Sequence, residues 1–158
     1  GLYDRLTVSE TVRYFADLHG MPRNEFEQNR DEIFELLEIT PFAERRVGRL
    51  STGMKQRASI ARSLIHNPPV VILDEPTSGL DVIAARTIIN LIRRFRETGR
   101  TVLFSTHRMD EVSLLSDDLS VIHDGRILFN SSFEDFRHKA DGRSLEEMFI
   151  HLVEGTES

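Results

Sequence analysis

The sequence contains no cysteine, which excludes a disulfide framework, a thiolate metal site and redox chemistry at sulfur. It also lacks a long hydrophobic run. The longest strongly apolar stretch, VVIL at residues 70–73, is far shorter than the roughly 20 residues that a membrane-spanning helix requires. There is no excess of positive charge, and the formal net charge of -6 argues against a nucleic-acid surface built on net positive potential. Disulfide-stabilised, membrane-spanning and nucleic-acid-binding classes are therefore disfavoured.

The remaining composition is that of a soluble chain, with 158 residues of which 39% are hydrophobic and 29% are charged. This supplies enough apolar material for one substantial core. The chain begins with Gly1 and has no basic segment followed by an apolar one, so its start reads as a cut rather than a targeting sequence. We expect one domain, or a part of one, from a longer protein.

The start of the chain has the pattern of amphipathic helices. Thr7 and Glu10 have the spacing of a capping box, and the helix that they begin is expected to end at Gly20. A second helix, after residues 21–25, carries one apolar stripe among polar positions. Residues 1–66 are therefore predicted to form a helical subdomain.

An alternation of strand and helix follows, and it predicts an α/β core over residues 67–158. The segments VVILDEP (residues 70–76) and TVLFSTH (residues 101–107) are continuous apolar runs, typical of parallel strands that are buried on both faces. The helix between them is expected to begin after Asp81, as its N-cap, and to end at Gly99.

Turn and capping residues organise the rest of this core. Residues 124–125, Asp-Gly, join two alternating runs in the pattern of a β-hairpin. Two further capping boxes, Ser131 to Glu134 and Ser144 to Glu147, predict two helices at the end of the chain.

Two carboxylates and one imidazole follow the predicted strands. Asp74 and Glu75 end the first strand, and His107 ends the second. Because the carboxyl ends of parallel strands meet at one sheet edge, we expect these residues to lie together. Neighbours on an extended chain point to opposite sides, so one carboxylate can bind Mg²⁺ while the other polarises water. On its own, without the flanking motifs, the pair is better interpreted as capping the following turn.

Four motifs resemble those of ATP-binding-cassette (ABC) ATPases. LSTGMKQR (residues 50–57), VVILDEP (residues 70–76), SGLD (residues 78–81) and FSTH (residues 104–107) resemble the family's signature, Walker B, D-loop and H-loop, in its order and spacing. The first 20 residues also resemble the start of the family's helical subdomain. In style, the motifs are most similar to ATPase subunits of bacterial exporters of the sodium-efflux, NatA-like type and of drug exporters. The resemblance implies the C-terminal part of a P-loop NTPase domain, with a parallel-sheet core and a helical subdomain.

The small residues of the signature suit an anion site. A helix N-terminus offers unpaired N–H groups and a positive dipole end, and small side chains allow a phosphate to approach closely. The resemblance implies that Ser51, Thr52 and Gly53 contact the γ-phosphate of ATP held by the opposite subunit. Thr52 stands where the family more often has Gly, and Met54 where it more often has Gln. Residues 55–57, beyond the first turn, are expected on a solvated helix face.

The resemblance implies a role for each remaining site residue, with ATP and Mg²⁺ as the cofactors. Asp74 would order Mg²⁺, through water, and Glu75 would activate the attacking water. His107 would hydrogen-bond the γ-phosphate. Asp81 would link the two half-sites, which is compatible with capping. The other histidines are expected to be solvated or hydrogen-bonded loop residues. They are His19, His66, His123, His138 and His151.

The resemblance also implies partners. These are a second nucleotide-binding domain in a head-to-tail dimer and a transmembrane permease, which residues 7–20 would approach at the cytoplasmic face of the membrane. The parent protein would couple ATP hydrolysis to export of an ion or small molecule. One alternative is a soluble ABC ATPase without a permease, which the absence of a coiled-coil arm disfavours. Another is a truncated regulatory module that offers Ser51 and Gly53 in trans.

The sequence contains no Gly-Lys pair and therefore no P-loop, whose N–H groups and Lys hold the phosphates. We expect that this chain does not hydrolyse ATP alone. In the family the P-loop strand lies beside the strand that matches TVLFST (residues 101–106), so its absence would leave a hydrophobic strand edge open. The isolated chain is expected to be marginally stable and to aggregate or dimerise through that edge.

Overall fold

A computed structural model describes residues 2–155 as a mixed α/β chain, and this confirms the predicted fold class. The contacts divide the chain into two compact units between Ser105 and Thr106. The functional division expected at residue 66 falls within the first unit and stays a prediction.

In chain order the elements are α1 (Val8–Leu18), α2 (Arg23–Leu36), 3₁₀ turns at Thr40–Phe42 and Val47–Arg49, α3 (Thr52–Leu64), β1 (Val70–Leu73), α4 (Val82–Glu97), β2 (Thr101–Phe104), α5 (Met109–Leu115), β3 (Asp118–His123), β4 (Arg126–Ser132), α6 (Phe133–Ala140) and α7 (Leu145–Glu154).

The first unit is built on amphipathic helices whose ends follow from local sequence. Thr7 Oγ1 accepts a hydrogen bond from the Glu10 N–H at 3.1 Å, and the Glu10 carboxylate accepts one from the Thr7 N–H at 2.7 Å. The predicted capping box is therefore confirmed. Gly20 follows α1 with a φ of 68°, a left-handed conformation that glycine adopts without strain. No helix within residues 2–155 is both long enough and apolar enough to span a membrane.

The helices α1 to α4 pack on one another and bury their apolar faces. This packing follows from their apolar stripes, because each stripe leaves water only when another helix covers it. The large side chains that are fully buried there include Val8, Val12, Leu37, Ile39, Val47, Leu64, Ile65, Ile88, Leu91 and Phe95.

The strands β1 and β2 pair in parallel, with residues 70–73 opposite residues 101–104. Leu73 is 8% exposed, whereas Ile72 and Leu103, which are partners in the register, are 73% and 62% exposed. The prediction that both strands are buried on both faces was therefore wrong. Exposure alternates along each strand, because α4 packs against this sheet within the first unit while the face that carries Ile72 and Leu103 lies open to solvent.

The second unit contains α5, an antiparallel hairpin of β3 and β4, and the helices α6 and α7. Asp124 and Gly125 form the hairpin turn with φ values of 47° and 73°, as a tight two-residue turn requires. The predicted hairpin is thus confirmed. One side of it packs on the two terminal helices, in a cluster built on Val121, Phe136, Ala140 and Met148.

The caps of the terminal helices confirm one prediction and correct another. The box predicted at residues 144–147 is present at the start of α7. The box predicted from Ser131 to Glu134 is wrong, because Ser131 still pairs with β3. The cap of α6 is Ser132, whose Oγ accepts from the Asp135 N–H at 3.0 Å. The Ser131 hydroxyl donates to the Asp135 carboxylate, and this bond holds the pKa of Asp135 below its usual value.

His66 differs from the solvated or hydrogen-bonded residue that was expected. Its ring stacks on that of His19, with the centroids 3.9 Å apart and the planes 13° from parallel. Its Nδ1 is buried without a hydrogen-bond partner among the described residues. Burial, and then the neighbouring His19, lower the pKa of His66 below its usual value, because both disfavour a positive charge on its ring.

Candidate functional site

The signature segment opens α3 with small polar residues facing outward. Ser51 is the N-cap, and its Oγ accepts from the Met54 N–H at 3.3 Å. Ser51 and Thr52 are exposed, and the first turn carries no acidic side chain. The positive dipole end of α3 therefore carries small exposed residues and no opposing acidic charge, which favours binding of an anion.

Gly53 has a packing role as well as the expected one. It is buried, and a Cβ atom at this position would lie 3.0 Å from the Ala84 Cβ and 4.0 Å from Leu80 Cδ2. The absence of a side chain at Gly53 therefore allows the first turn of α3 to approach the start of α4 closely. The signature segment and the segment that follows β1 are thus packed together.

We expect Gly53→Ala to destabilise the protein, by about 1–3 kcal/mol, because the new methyl group overpacks the contact with Ala84. Helix propensity alone predicts the opposite sign, a gain of about 1 kcal/mol. Urea unfolding of Gly53→Ala, of Ala84→Gly and of the double variant measures the coupling between the two sites. Ala84→Gly should relieve the cost of Gly53→Ala. A stabilised single variant, or strictly additive effects, would contradict close packing of the two helices.

Gln56 and Arg57 do not lie on a solvated face, and that prediction was wrong. Gln56 Nε2 donates to the carbonyl of Pro76 at 3.2 Å. Arg57 Nη1 donates to the carbonyl of Leu37 and to the carboxylate of Glu38, each at 3.3 Å. The reason is that carbonyl groups at element ends lack partners within their own element, and these two long side chains reach them. Gln56 thereby ties α3 to the turn after β1.

The carboxylate pair lies at the end of the parallel strands, where Asp74 and Glu75 follow β1 and Ser105 follows β2. Ser105 Oγ donates to Asp74 Oδ1 at 2.5 Å and accepts from the Glu75 N–H at 2.9 Å. The Ser105 N–H donates to the carbonyl of Leu73 at 3.0 Å and so extends the ladder beyond β2. A serine after β2 that sequence analysis did not single out thus bonds to both acidic residues after β1.

The backbone turns at Glu75, which has a φ of 45°. This left-handed conformation is uncommon for a residue other than glycine. The expectation that the two carboxylates alternate as on an extended strand was wrong, because β1 ends at Leu73. The turn continues with a hydrogen bond from the Ser78 N–H to the Glu75 carbonyl at 3.1 Å. Glu75 is half-buried and Asp74 is exposed, so a ligand can reach this end of the sheet.

Asp81 caps α4, as predicted. Its Oδ1 accepts from the Ala84 N–H at 2.9 Å. The cap anchors the segment in which Leu80 and Ala84 contact Gly53. The implied role of Asp81 in linking two half-sites stays a prediction.

His107 is exposed and lies in the second unit, two residues after Ser105. Its two neighbours in sequence are tied to the same carboxylate. Thr106 Oγ1 donates to Glu111 at 2.8 Å, and Arg108 Nε lies 3.3 Å from the other Glu111 oxygen. Glu111 is 1% exposed and was missed by sequence analysis, although an acid in the first turn of a helix after His107 is a usable signal. These contacts restrain the backbone on both sides of His107.

The fit to Mg²⁺ depends on Asp74. Among residues 2–155 there is no group of three or more Asp, Glu or His side chains arranged to hold a metal ion. Mg²⁺ bound with a nucleotide needs no such group, because it takes most of its ligands from water and phosphates and only one or two from carboxylates. Asp74 suits this requirement, since Ser105 bonds to one of its oxygens and the second is the one that can take a ligand.

Comparison with known proteins supports the resemblance. A family model described as ABC transporter matches residues 1–78. The chain is 35% identical over 156 residues to the ABC transporter ATP-binding protein NatA of Bacillus subtilis, and the match covers 98% of this chain and 63% of that protein. It is 29% identical over 149 residues to the linearmycin resistance ATP-binding protein LnrL of the same species, with 94% of this chain and 48% of that protein covered.

A similar structure has also been solved. It is described as the structure of an ATP-binding subunit of an ABC transporter, and it superposes with a TM-score of 0.85 at 27% sequence identity. The match covers 97% of this chain and 65% of the other. The chain therefore spans less than two thirds of the length of these relatives.

Proposed function

Since the chain belongs to the family of ABC transporter ATP-binding domains, we propose that it is part of an ATPase subunit that drives export of an ion or small molecule. The observation that carries this proposal is the acidic pair at the end of β1, where Ser105 Oγ bonds to the carboxylate of Asp74 and to the backbone N–H of Glu75. The permease partner, the cytoplasmic face of the membrane as location, and residues 7–20 as the nearest segment belong to the same proposal.

We assign each site residue a role in phosphoryl transfer. Asp74 would hold Mg²⁺ through its second carboxylate oxygen, directly or through water. Bound Mg²⁺ supplies positive charge that offsets the phosphate oxygens. Glu75 orients a water molecule and takes its proton as the water oxygen bonds to the γ-phosphorus and the bond to the ADP oxygen breaks. His107 donates a hydrogen bond to the γ-phosphate. Catalysis is then mainly positioning and charge stabilisation.

The anion site at α3 acts on a nucleotide held by another copy of the protein. Ser51 and Thr52 are exposed at the helix N-terminus, so an approaching subunit can present a γ-phosphate to their N–H groups. Gly53 allows this terminus to pack closely on the start of α4 at Ala84, and Asp81 caps that start of α4. Each active site is then shared between two subunits arranged head to tail.

The identity of the exported substrate rests on relatives alone. NatA is named as an ABC transporter ATP-binding protein, and the name of LnrL assigns it to linearmycin resistance. We favour sodium as the exported ion, by motif style, with drug-like molecules as the second candidate. The 158-residue chain itself is expected not to hydrolyse ATP, because it has no Gly-Lys pair to hold the phosphates.

Mixing two inactive variants of the full-length protein that contains this chain tests the shared site. Ser51→Arg blocks the anion site, and Glu75→Gln removes the proton acceptor. A mixed dimer keeps one site with an intact Glu75 from one subunit and an intact Ser51 from the other. ATP hydrolysis should therefore reappear when the two variants are mixed, although neither is active alone.

Differently tagged subunits report whether mixed dimers have formed. Mixed dimers without activity would contradict the shared site. Na⁺ and a drug are then added separately to the assembly of the protein with its permease. Only the substrate that the assembly transports should stimulate ATP hydrolysis.

A further inference from the structure

The Ser105 hydroxyl both donates and accepts a hydrogen bond at the end of β1. A serine hydroxyl has one proton to donate and lone pairs to accept. The proton goes to Asp74 Oδ1 at 2.5 Å, and a lone pair accepts the Glu75 N–H at 2.9 Å. A single hydroxyl group therefore contacts both acidic residues, although it lies 30 or more positions later in the chain.

The contact with Asp74 decides which carboxylate oxygen is available. Hydrogen bonds to an ionised group are shorter and stronger than neutral ones. The bond from Ser105 restrains the rotation of the carboxylate and uses one lone pair of Oδ1, which leaves Oδ2 as the oxygen with both lone pairs available for a ligand. Asp74 is exposed, and a free carboxylate in that position would rotate.

The contact with Glu75 acts on the backbone. Glu75 has a φ of 45°, a left-handed conformation that is unfavourable for a residue with a side chain. The hydrogen bond from its N–H to Ser105 Oγ stabilises this turn. The Ser105 N–H is itself bonded to the carbonyl of Leu73. The backbone that carries the hydroxyl is therefore fixed to the sheet.

We propose that Ser105 is a positioning residue that sets the metal-facing oxygen of Asp74 and the direction of Glu75. This inference rests on the proposed function of those two residues. Ser105 itself touches neither the phosphates nor the attacking water; it acts through Asp74 and Glu75.

The test compares Ser105→Ala, Ser105→Thr and Ser63→Ala in the full-length protein. Ser63 is the matched control, since its Oγ donates to the carbonyl of Ile60 at 2.8 Å within α3, away from the carboxylate pair. Two measurements are made. The first is ATP affinity with Mg²⁺ and with EDTA. The second is hydrogen exchange of the Glu75 amide without nucleotide or metal.

Ser105→Ala should reduce the Mg²⁺-dependent gain in ATP affinity by about tenfold, the effect of one hydrogen bond to a charged group, and should speed exchange at the Glu75 amide. Ser105→Thr keeps the hydroxyl and should resemble the wild type in both measurements. Ser63→Ala should change neither. The affinity with EDTA should be the same in all variants.

The outcomes separate the two proposals. A wild-type affinity that is unchanged by Mg²⁺ would remove the proposed function, and the role of Ser105 with it. A normal Mg²⁺ effect in the wild type that Ser105→Ala leaves intact would overturn the role of Ser105 only. Equal losses in Ser105→Ala and Ser63→Ala would also overturn it, because they would show a general effect of lost stability.

Discussion

Replacing Glu75 by Gln in the full-length protein should slow ATP hydrolysis by about 10²–10⁴-fold, which is the contribution typical of a general base. Gln has nearly the same shape and can still hydrogen-bond to water, but its amide cannot take a proton. ATP binding should persist, because the bond from the residue 75 N–H to Ser105 and the contact between Ser105 and Asp74 remain. An ATP-bound dimer should therefore accumulate.

Single-turnover hydrolysis and size-exclusion chromatography with ATP measure these two effects of Glu75→Gln. The matched control is Glu97→Gln, the same chemical change at an exposed position in the last turn of α4, 3.7 Å from Arg94. Its rate should equal that of the wild type, since exposed ion pairs contribute little to stability. Turnover at the normal rate by Glu75→Gln would refute a role in activating water.

The parts of the fold that were predicted well depend on neighbours in sequence. The capping boxes at residues 7–10 and 144–147 and the hairpin turn at residues 124–125 each involve groups within three positions of one another. The error at Ser131 has the opposite cause. Its pairing with Leu119 extends β4 by residues that otherwise read as a helix start, and such pairing is not visible in local sequence.

The candidate site was predictable only where position along a strand was enough. Asp74 and Glu75 were found because they follow an apolar run. The contacts of Ser105 join residues that are 30 and 31 positions apart, and those of Arg57 to Leu37 and Glu38 span 20 and 19. These partners are set by strand register and helix packing, so a serine or an arginine gives no local signal of its role.

The exposed face of the parallel sheet provides the second large expected effect. Ile72 and Leu103 are partners in the register and lie side by side on that face, 73% and 62% exposed. Among the described residues of the first unit, 2–105, β1 and β2 pair only with each other, so the sheet also has open edges. Covering one large aliphatic side chain is worth about 1.5–3 kcal/mol, and unpaired strand edges invite pairing with another chain. The wild-type 158-residue chain should therefore self-associate.

The double variant Ile72→Thr with Leu103→Thr should shift the 158-residue chain toward monomer. Threonine keeps the branched Cβ that strands favour but removes most of the apolar surface. Sedimentation velocity over a range of protein concentrations measures the association. A control pair, Val82→Thr with Ile83→Thr, makes the same replacement at residues that are 84% and 76% exposed at the start of α4, off the sheet, and should leave association unchanged.

Because the prediction assigns association to one face of the sheet, equal effects of the two pairs would contradict it. A wild-type chain that is monomeric, with a sharp and reversible thermal transition, would contradict it outright.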